Sequence, residues 1–267
     1  MSGRISDVLR NNVKEKLERG EVVASMTVRL VRGIEIARIA RTAGFDMLYI
    51  DLEHSSFSLE TTGQICIAAL DVGIAPFVRV PANTPDYISR VLDGGALGVI
   101  APHIRSAEDA RAVVAAAKFP PLGDRSNAGS LPHLQYRSVP PAETYAALND
   151  ATMVIVQFEN ADALTRMDEI MAVEGVDVAL MGLNDLLADW GIPGRYDDPR
   201  VRDAYARTIA ACRKHGKHAG VGGLASRPDL IAEYVKMGAR YVSTGTDLNF
   251  LLAAGTQRAK QVQEIKF

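Results

Sequence analysis

Eight short apolar runs, separated mostly by stretches with helical periodicity, leave this 267-residue chain few folds to choose from. The runs are VVASMTV (22–28), DMLYI (46–50), APFVRV (75–80), LGVIA (97–101), TMVIVQF (152–158), VDVALM (176–181), HAGVGG (218–223) and RYVST (240–244). Between them lie segments such as IEIARIARTAGF, LETTGQICIAALDVG, SAEDARAVVAAAKF and RPDLIAEYVKMGA, whose apolar residues recur at helical spacing. Ser106 and Ser226 read as helix starts, and Gly44, Gly73 and Gly238 as helix stops. Strands that are apolar throughout, rather than alternating, belong to a parallel sheet covered on both faces. Eight βα units in about 250 residues is the arithmetic of a TIM (β/α)8 barrel, so residues 1–267 are expected to form one such domain. A doubly wound open sheet is the alternative, but RLVRGIEIA after the first strand lacks GxGxxG, and GxxxxGK[ST] occurs nowhere. The opening segment, MSGRISDVLRNNVKEKLERG, is expected to include a helix capping the barrel bottom. One connection is out of scale: Phe119 to Glu143, rich in Pro, Gly, Ser and Asn, is predicted to lie on the top face after the fourth strand as a lid or binding loop.

Charge and composition narrow the partners. Lys and Arg are interspersed with Asp and Glu, for a net charge of −2, and form no basic stripe, so no nucleic-acid partner is expected and small soluble substrates are. Cys66 and Cys212 stand singly in apolar helical stretches, as buried reduced thiols do, which points to a cytoplasmic protein without a catalytic cysteine. The N-terminus has no apolar signal region, and no apolar run approaches the roughly 18 residues of a membrane span.

In a barrel, chemistry gathers at the C-terminal ends of the strands. Here those ends carry Asp51, Glu53 and His54, then Arg79, His103, Gln157 with Glu159, and Asn184 with Asp185. Glu159 and Asp185 each have a plain explanation as acids in a helix first turn. Together, closing neighbouring strands with no Lys or Arg in either motif, they would repel unless a cation sat between them. Oxygen ligands without His or Cys suit Mg²⁺ or Mn²⁺ better than Zn²⁺. Arg79, inside the apolar FVRVP, needs an anion: either a structural bridge to Asp51 or Glu53, or a substrate carboxylate or oxyanion. His54 is either a satisfied loop histidine or a general base flanked by acids. His103 reads as structural, and His133, His215 and His218 as non-catalytic. No lysine stands at a strand top, where an imine-forming aldolase would need one, so electron withdrawal falls to a metal.

The motifs AGFDMLYIDLEHSSFSLE, PFVRVPANTP, VLDGGALGVIAPHIRSAEDARAVVAAAKFPPLGDR, VIVQFEN, GLNDLLADWGIPG and MGARYVSTGTDLNFL follow one another nearly end to end as they do in a known family. The chain resembles the HpcH/HpaI aldolases, metal-dependent class II enzymes. The resemblance implies a (β/α)8 barrel assembled as a homohexamer, a trimer of dimers, with the last helix exchanged between partners. It implies a divalent metal, Mg²⁺ or Mn²⁺ with Co²⁺ as a third option, on the carboxylates Glu159 and Asp185. His54 would accept the proton, Arg79 would stabilise the enolate, and Gln157, Asn184 and Asp185 would contact the pyruvate-like unit. Asp93 matches an aspartate that raises the basicity of that histidine. Because Asp93 precedes the fourth strand on the barrel bottom, it is expected to reach a histidine only across a subunit interface, with Asp51 as the alternative.

Three departures from the family pattern bear on substrate choice. GLNDL stands where G-P-x-D-L is common, so Leu183, after Gly182, restores a backbone N–H for a substrate carboxylate. PPLGDRSNAG replaces glycines beside Arg125 in the expected lid, and HSSFS alters the segment after the histidine. The activity so implied is reversible cleavage of a 4-hydroxy-2-oxoacid to pyruvate or hydroxypyruvate and an aldehyde, with oxaloacetate decarboxylation as a side reaction. Two other functions are a phosphate-binding barrel isomerase using GVGGLAS and STGTD, and a non-catalytic binding or assembly barrel.

Overall fold

The computed structural model describes Ile5 and residues 8–266. From the N-terminal side the chain runs α1 (Asn12–Glu18), β1 (Val23–Val28), α2 (Glu35–Thr42), β2 (Met47–Asp51), α3 (Leu59–Val72), β3 (Ala75–Arg79), α4 (Pro85–Asp93), β4 (Gly98–Ala101) and α5 (Ala107–Ala117). It continues through α6 (Pro141–Ala151), β5 (Met153–Phe158), α7 (Ala161–Thr165), α8 (Met167–Met171), β6 (Val178–Gly182), α9 (Leu183–Asp189), α10 (Pro199–Lys214), β7 (His218–Gly222), α11 (Pro228–Met237), β8 (Tyr241–Thr246) and α12 (Asp247–Gln263). The eight strands pair in parallel in chain order and close, β8 on β1, into a barrel. Each apolar run of the sequence becomes a strand with ends within two residues of those expected. Ser106 caps α5 in a reciprocal box with Asp109, and Gly73 ends α3 in the left-handed region at φ 72°. The start of α11 differs: Arg227 holds the cap position, without a side-chain cap bond, and Ser226 does not.

Alternate residues of each strand point to opposite sides, and here both sides are apolar for most of the strand. Leu48, Ile50, Val78, Val154, Val156 and Met181 pack outward against the helices. Met47, Tyr49, Phe77, Met153, Ile155, Leu180 and Tyr241 point inward and fill the barrel. Gly98 makes room for this filling, since a Cβ there would fall 2.5 Å from Phe77 Cδ1 and 2.7 Å from the Met153 carbonyl. Followed toward the C-terminal end, the inward column becomes polar: Met47 and Tyr49 lead to Asp51, Phe77 to Arg79, and Ile155 to Gln157. The register that pairs Asp51 with Arg79 puts this change at one height.

The floor is closed as expected. Leu9, Val13 and Leu17 of the α1 segment join the inner cluster, Asn11 caps the helix and donates to the Ala151 carbonyl at 2.7 Å, and Lys16 pairs with Asp46 at 2.9 Å.

The long connection lies at the end opposite to that expected. α5 carries the chain back from the top of β4, so residues 118–140 begin and end at the barrel floor. Lys118 Nζ donates to the carbonyls of Asn149, at 2.7 Å, and Thr152. The His133 ring lies 2.9 Å from the Ala96 carbonyl, and Phe119 and Leu131 are buried in the inner cluster. The segment is a plug, not a lid.

α12 packs little: of its residues only Asp247 is buried, and Leu248, Leu251, Leu252 and Val262 are exposed. Among the described residues no helix is long and apolar enough to cross a membrane.

Candidate active site

The polar upper layer opens into a cavity of about 450 Å³ at the C-terminal ends of the strands. Its wall includes Arg29, His54, Arg79, Gln157, Asn184 and Asp185. Asp51 organises one side. Its carboxylate is fully buried and takes a two-point contact from Arg79, Nε to Oδ1 at 2.9 Å and Nη2 to Oδ2 at 2.7 Å. Arg29 Nε adds a third donor at 2.5 Å. Burial alone would raise the Asp51 pKa, but the hydrogen bonds and charge of Arg79, with the charge of Arg29, hold it below the usual carboxylate range. Asp51 Oδ1 also accepts the backbone N–H groups of Glu53, at 3.1 Å, and His54, at 3.3 Å, and Ser55 Oγ donates to the Asp51 carbonyl. This tight turn presents the half-exposed His54 imidazole to the cavity, 3.8 Å from Glu53 Oε2.

Arg79 therefore forms the structural bridges the sequence allowed, to Asp51 and, through Nη1 at 2.7 Å, to Glu53. It also lines the cavity. A guanidinium carries five N–H groups, so these contacts leave donors for a substrate oxygen.

On the opposite side, Glu159 follows β5 and Asp185 lies in the first turn of α9. Glu159 is buried: Oε1 accepts the His103 backbone N–H at 2.5 Å and lies 3.0 Å from His103 Nδ1, while Oε2 has no hydrogen-bond partner. Burial raises the Glu159 pKa, His103 opposes the shift, and the negative charges of Asp185 and Glu53 reinforce it. Gln157 Oε1 beside it is also buried and unpartnered. Gly182 allows this packing, since a Cβ there would sit 2.6 Å from Glu159 Oε2 and 2.7 Å from Glu159 Cβ. Leu183 is buried and opens α9, and the Asn184 carboxamide accepts a 2.9 Å hydrogen bond from the Tyr196 hydroxyl. Two neighbouring carboxylates, an orphaned carboxylate oxygen and an orphaned amide oxygen fit a hard divalent cation that keeps positions open for other oxygens. Among the described residues no cluster of three His, Cys, Asp or Glu side chains forms a closed metal cage.

Two sequence-predicted residues are not brought to this site. Asp93 ends α4 at the floor and pairs with Arg125, Oδ1 to Nη2 at 2.7 Å. Arg125 is buried against the Phe119 ring, 4.6 Å from its centroid, inside the floor plug. Neither lines the cavity, because the connection holding Arg125 follows a helix and not a strand. The sequence reading also missed one group. Arg29, just past the first apolar run, stood at a strand end like the others and was readable by that criterion. His103, read as structural, bridges Glu53, at 2.7 Å from Nε2, and Glu159. Its backbone is left-handed at φ 57°, and nothing in APHIRS announces that.

Comparison with known proteins gives the family. The family model HpcH/HpaI aldolase/citrate lyase matches residues 32–254. A 4-hydroxy-4-methyl-2-oxoglutarate aldolase of Hapsidospora irregularis is 41% identical over 260 residues, covering 96% of each chain. The 2-keto-3-deoxy-L-rhamnonate aldolase of Escherichia coli (strain K12) is 33% identical over 252 residues, 94% of this chain and 92% of its own. The crystal structure of an HpcH/HpaI aldolase from Desulfitobacterium hafniense DCB-2 superposes with a TM-score of 0.91 at 30% identity, covering 96% of this chain and 98% of that one. The chain belongs to the HpcH/HpaI aldolase/citrate lyase family, and it is a lyase of the aldolase kind.

Proposed function

We propose that the barrel cleaves a 4-hydroxy-2-oxoacid reversibly, releasing pyruvate or hydroxypyruvate and a second carbonyl compound. The observation that carries this reading is one cavity wall that holds Asp185, Gln157, Arg79 and His54, with the buried Glu159 carboxylate packed directly against Gly182 of that wall. No lysine is among the cavity's described wall residues, so the chain supplies no amine there for an imine. A divalent cation, Mg²⁺ or Mn²⁺ first and Co²⁺ next, held by Glu159 and Asp185, would polarise the 2-oxo group.

The chain's own residues do the rest. Gln157, Asn184 and the backbone at Gly182 and Leu183 hold the 2-oxoacid end. His54 takes the proton from the C4 hydroxyl as the C4 carbonyl forms, the C3–C4 bond breaks and its electron pair passes to C3. The donors of Arg79 left over from Asp51 and Glu53 stabilise the enolate oxygen. A proton returned to C3 completes pyruvate. Asp51 positions both groups, through the Arg79 fork and the turn that carries His54. Oxaloacetate decarboxylation passes through the same enolate and is the expected side reaction. The carry-over of Asp93 to catalysis would require a second subunit. The exposed α12 supports a homohexamer with that helix exchanged, and the two buried thiols, Cys66 and Cys212, support a cytoplasmic location.

The test is pyruvate release from 4-hydroxy-2-oxoacids before and after chelation. Activity should vanish in EDTA and return with Mg²⁺ or Mn²⁺, and borohydride should trap no adduct. Full activity in chelator, or a reduced covalent adduct, would overturn the proposal.

A further inference from the structure

We propose that Arg29 reads a carboxylate on the second, carbonyl-forming half of the substrate, so that this product is an anion and not a neutral aldehyde or ketone. The inference rests on the aldolase reading above and names the substrate class it leaves open. The 2-oxoacid end is assigned to β5 and β6, by Glu159, Gln157 and Asp185. In a closed barrel of eight strands in chain order, β1 lies opposite β5. A substrate anchored at β5 and β6 and lying across the mouth therefore extends toward β1, and the residue just past the top of β1 is Arg29.

Three observations make Arg29 suited to an anion. Its Nε donates to Asp51 Oδ2, but Asp51 already has the two-point contact of Arg79, so the Arg29 charge is not required to neutralise a lone buried acid. Among the described residues neither Nη atom of Arg29 makes a hydrogen bond, and the side chain is 36% exposed at the cavity wall. Its backbone is fixed: the buried Asp247 carboxylate accepts the N–H groups of Arg29 at 3.0 Å, Leu30 at 2.9 Å and Val31 at 2.8 Å. The guanidinium is thus held at its root by Asp247 and at Nε by Asp51, with the two Nη groups as the free, carboxylate-matched end. Arg79, the other guanidinium of the wall, bonds Asp51 and Glu53, and the donors it has left over are assigned to the enolate oxygen at the 2-oxoacid end.

The experiment compares two substrates that differ only at the distal group. 4-Hydroxy-4-methyl-2-oxoglutarate cleaves to two pyruvates, and 4-hydroxy-4-methyl-2-oxopentanoate, with methyl in place of the distal carboxylate, cleaves to pyruvate and acetone. The readout is the ratio of their kcat/KM values in wild type, Arg29→Gln and Arg29→Lys, with thermal unfolding of each variant checked alongside. Wild type should favour the dicarboxylate, and Arg29→Gln should lower the ratio by about 10- to 100-fold, chiefly through the dicarboxylate's KM, as for loss of a charged hydrogen bond. Arg29→Lys should restore part of the ratio, since it keeps the charge and loses the fork. A wild type without preference, or a variant whose two rates fall by the same factor, would overturn the assignment of Arg29 and leave the aldolase reading standing. A wild type that cleaves neither substrate nor any other 4-hydroxy-2-oxoacid would overturn both.

Discussion

The tightest constraint on the site is a missing side chain. Gly182 faces Glu159 so closely that a Cβ would fall 2.7 Å from Glu159 Cβ, an atom that rotation of the carboxylate cannot move away. Gly182→Ala should therefore displace Glu159 while leaving the barrel folded. A displacement of about 1 Å at a reacting centre can cost about 100-fold, so kcat/KM is expected to fall by that order and the activating metal concentration to rise. Metal titration of the rate in the two proteins checks this, and an unchanged titration would exclude the tight packing as a control on metal binding. At this scale much of the site was legible in the sequence, because a charged residue closing an apolar strand is costly unless something needs it. Asp51, Arg79, Glu159 and Asp185 all announced themselves in that way. What stayed hidden is set by three-dimensional contact: the His103 bridge depends on a left-handed backbone, and the free end of Arg29 depends on Arg79 having taken Asp51.

Among the elements, the strands were the most readable, because burial on both faces leaves an uninterrupted apolar run whose length fixes its ends. The 118–140 connection was misread for the complementary reason: its turn-forming composition reports irregular backbone but says nothing of which end of the barrel it covers. The floor plug it forms carries its own acid sensitivity. Burial holds the His133 pKa down to about 4, against an ordinary 6.5. The unfolded chain thus binds this proton first, and stability should fall as pH drops from about 6.5 to about 4, by about 3 kcal/mol in all. His133→Gln, which cannot take up the proton, should flatten that limb by about 2–3 kcal/mol even though it loses some stability at neutral pH. Urea unfolding of both proteins at several pH values between 4 and 7 measures the difference. Parallel pH profiles would show that the acid limb belongs to other groups.

For the molecule as a whole, α12 leaves the largest piece of unfinished packing. A barrel's last helix ordinarily covers the seam between its last and first strands. Here the helix is 17 residues long and only Asp247, at its first position, is buried. Leu251 and Leu252 are each 64% exposed, Val262 62% and Ile265 just beyond the helix 60%, while Phe250 packs back on Gly245 and on Phe45, with the two rings' centroids 5.9 Å apart. Large apolar side chains left exposed along one helix are what a subunit interface would cover. α12 sits where the family resemblance places an exchanged helix. The chain is therefore expected to have a solution mass that is a multiple of 28.8 kDa, six-fold for the trimer of dimers. Leu251→Glu combined with Leu252→Glu buries two charges in that interface and should shift the mass to a smaller species and lower the melting temperature. Because neither residue lines the cavity, any accompanying loss of activity would report that assembly completes the site, as the position of Asp93 outside it also suggests. Light scattering on the two proteins decides it: a monomeric wild type, or a double variant of unchanged mass, would show that α12 does not hold the assembly together.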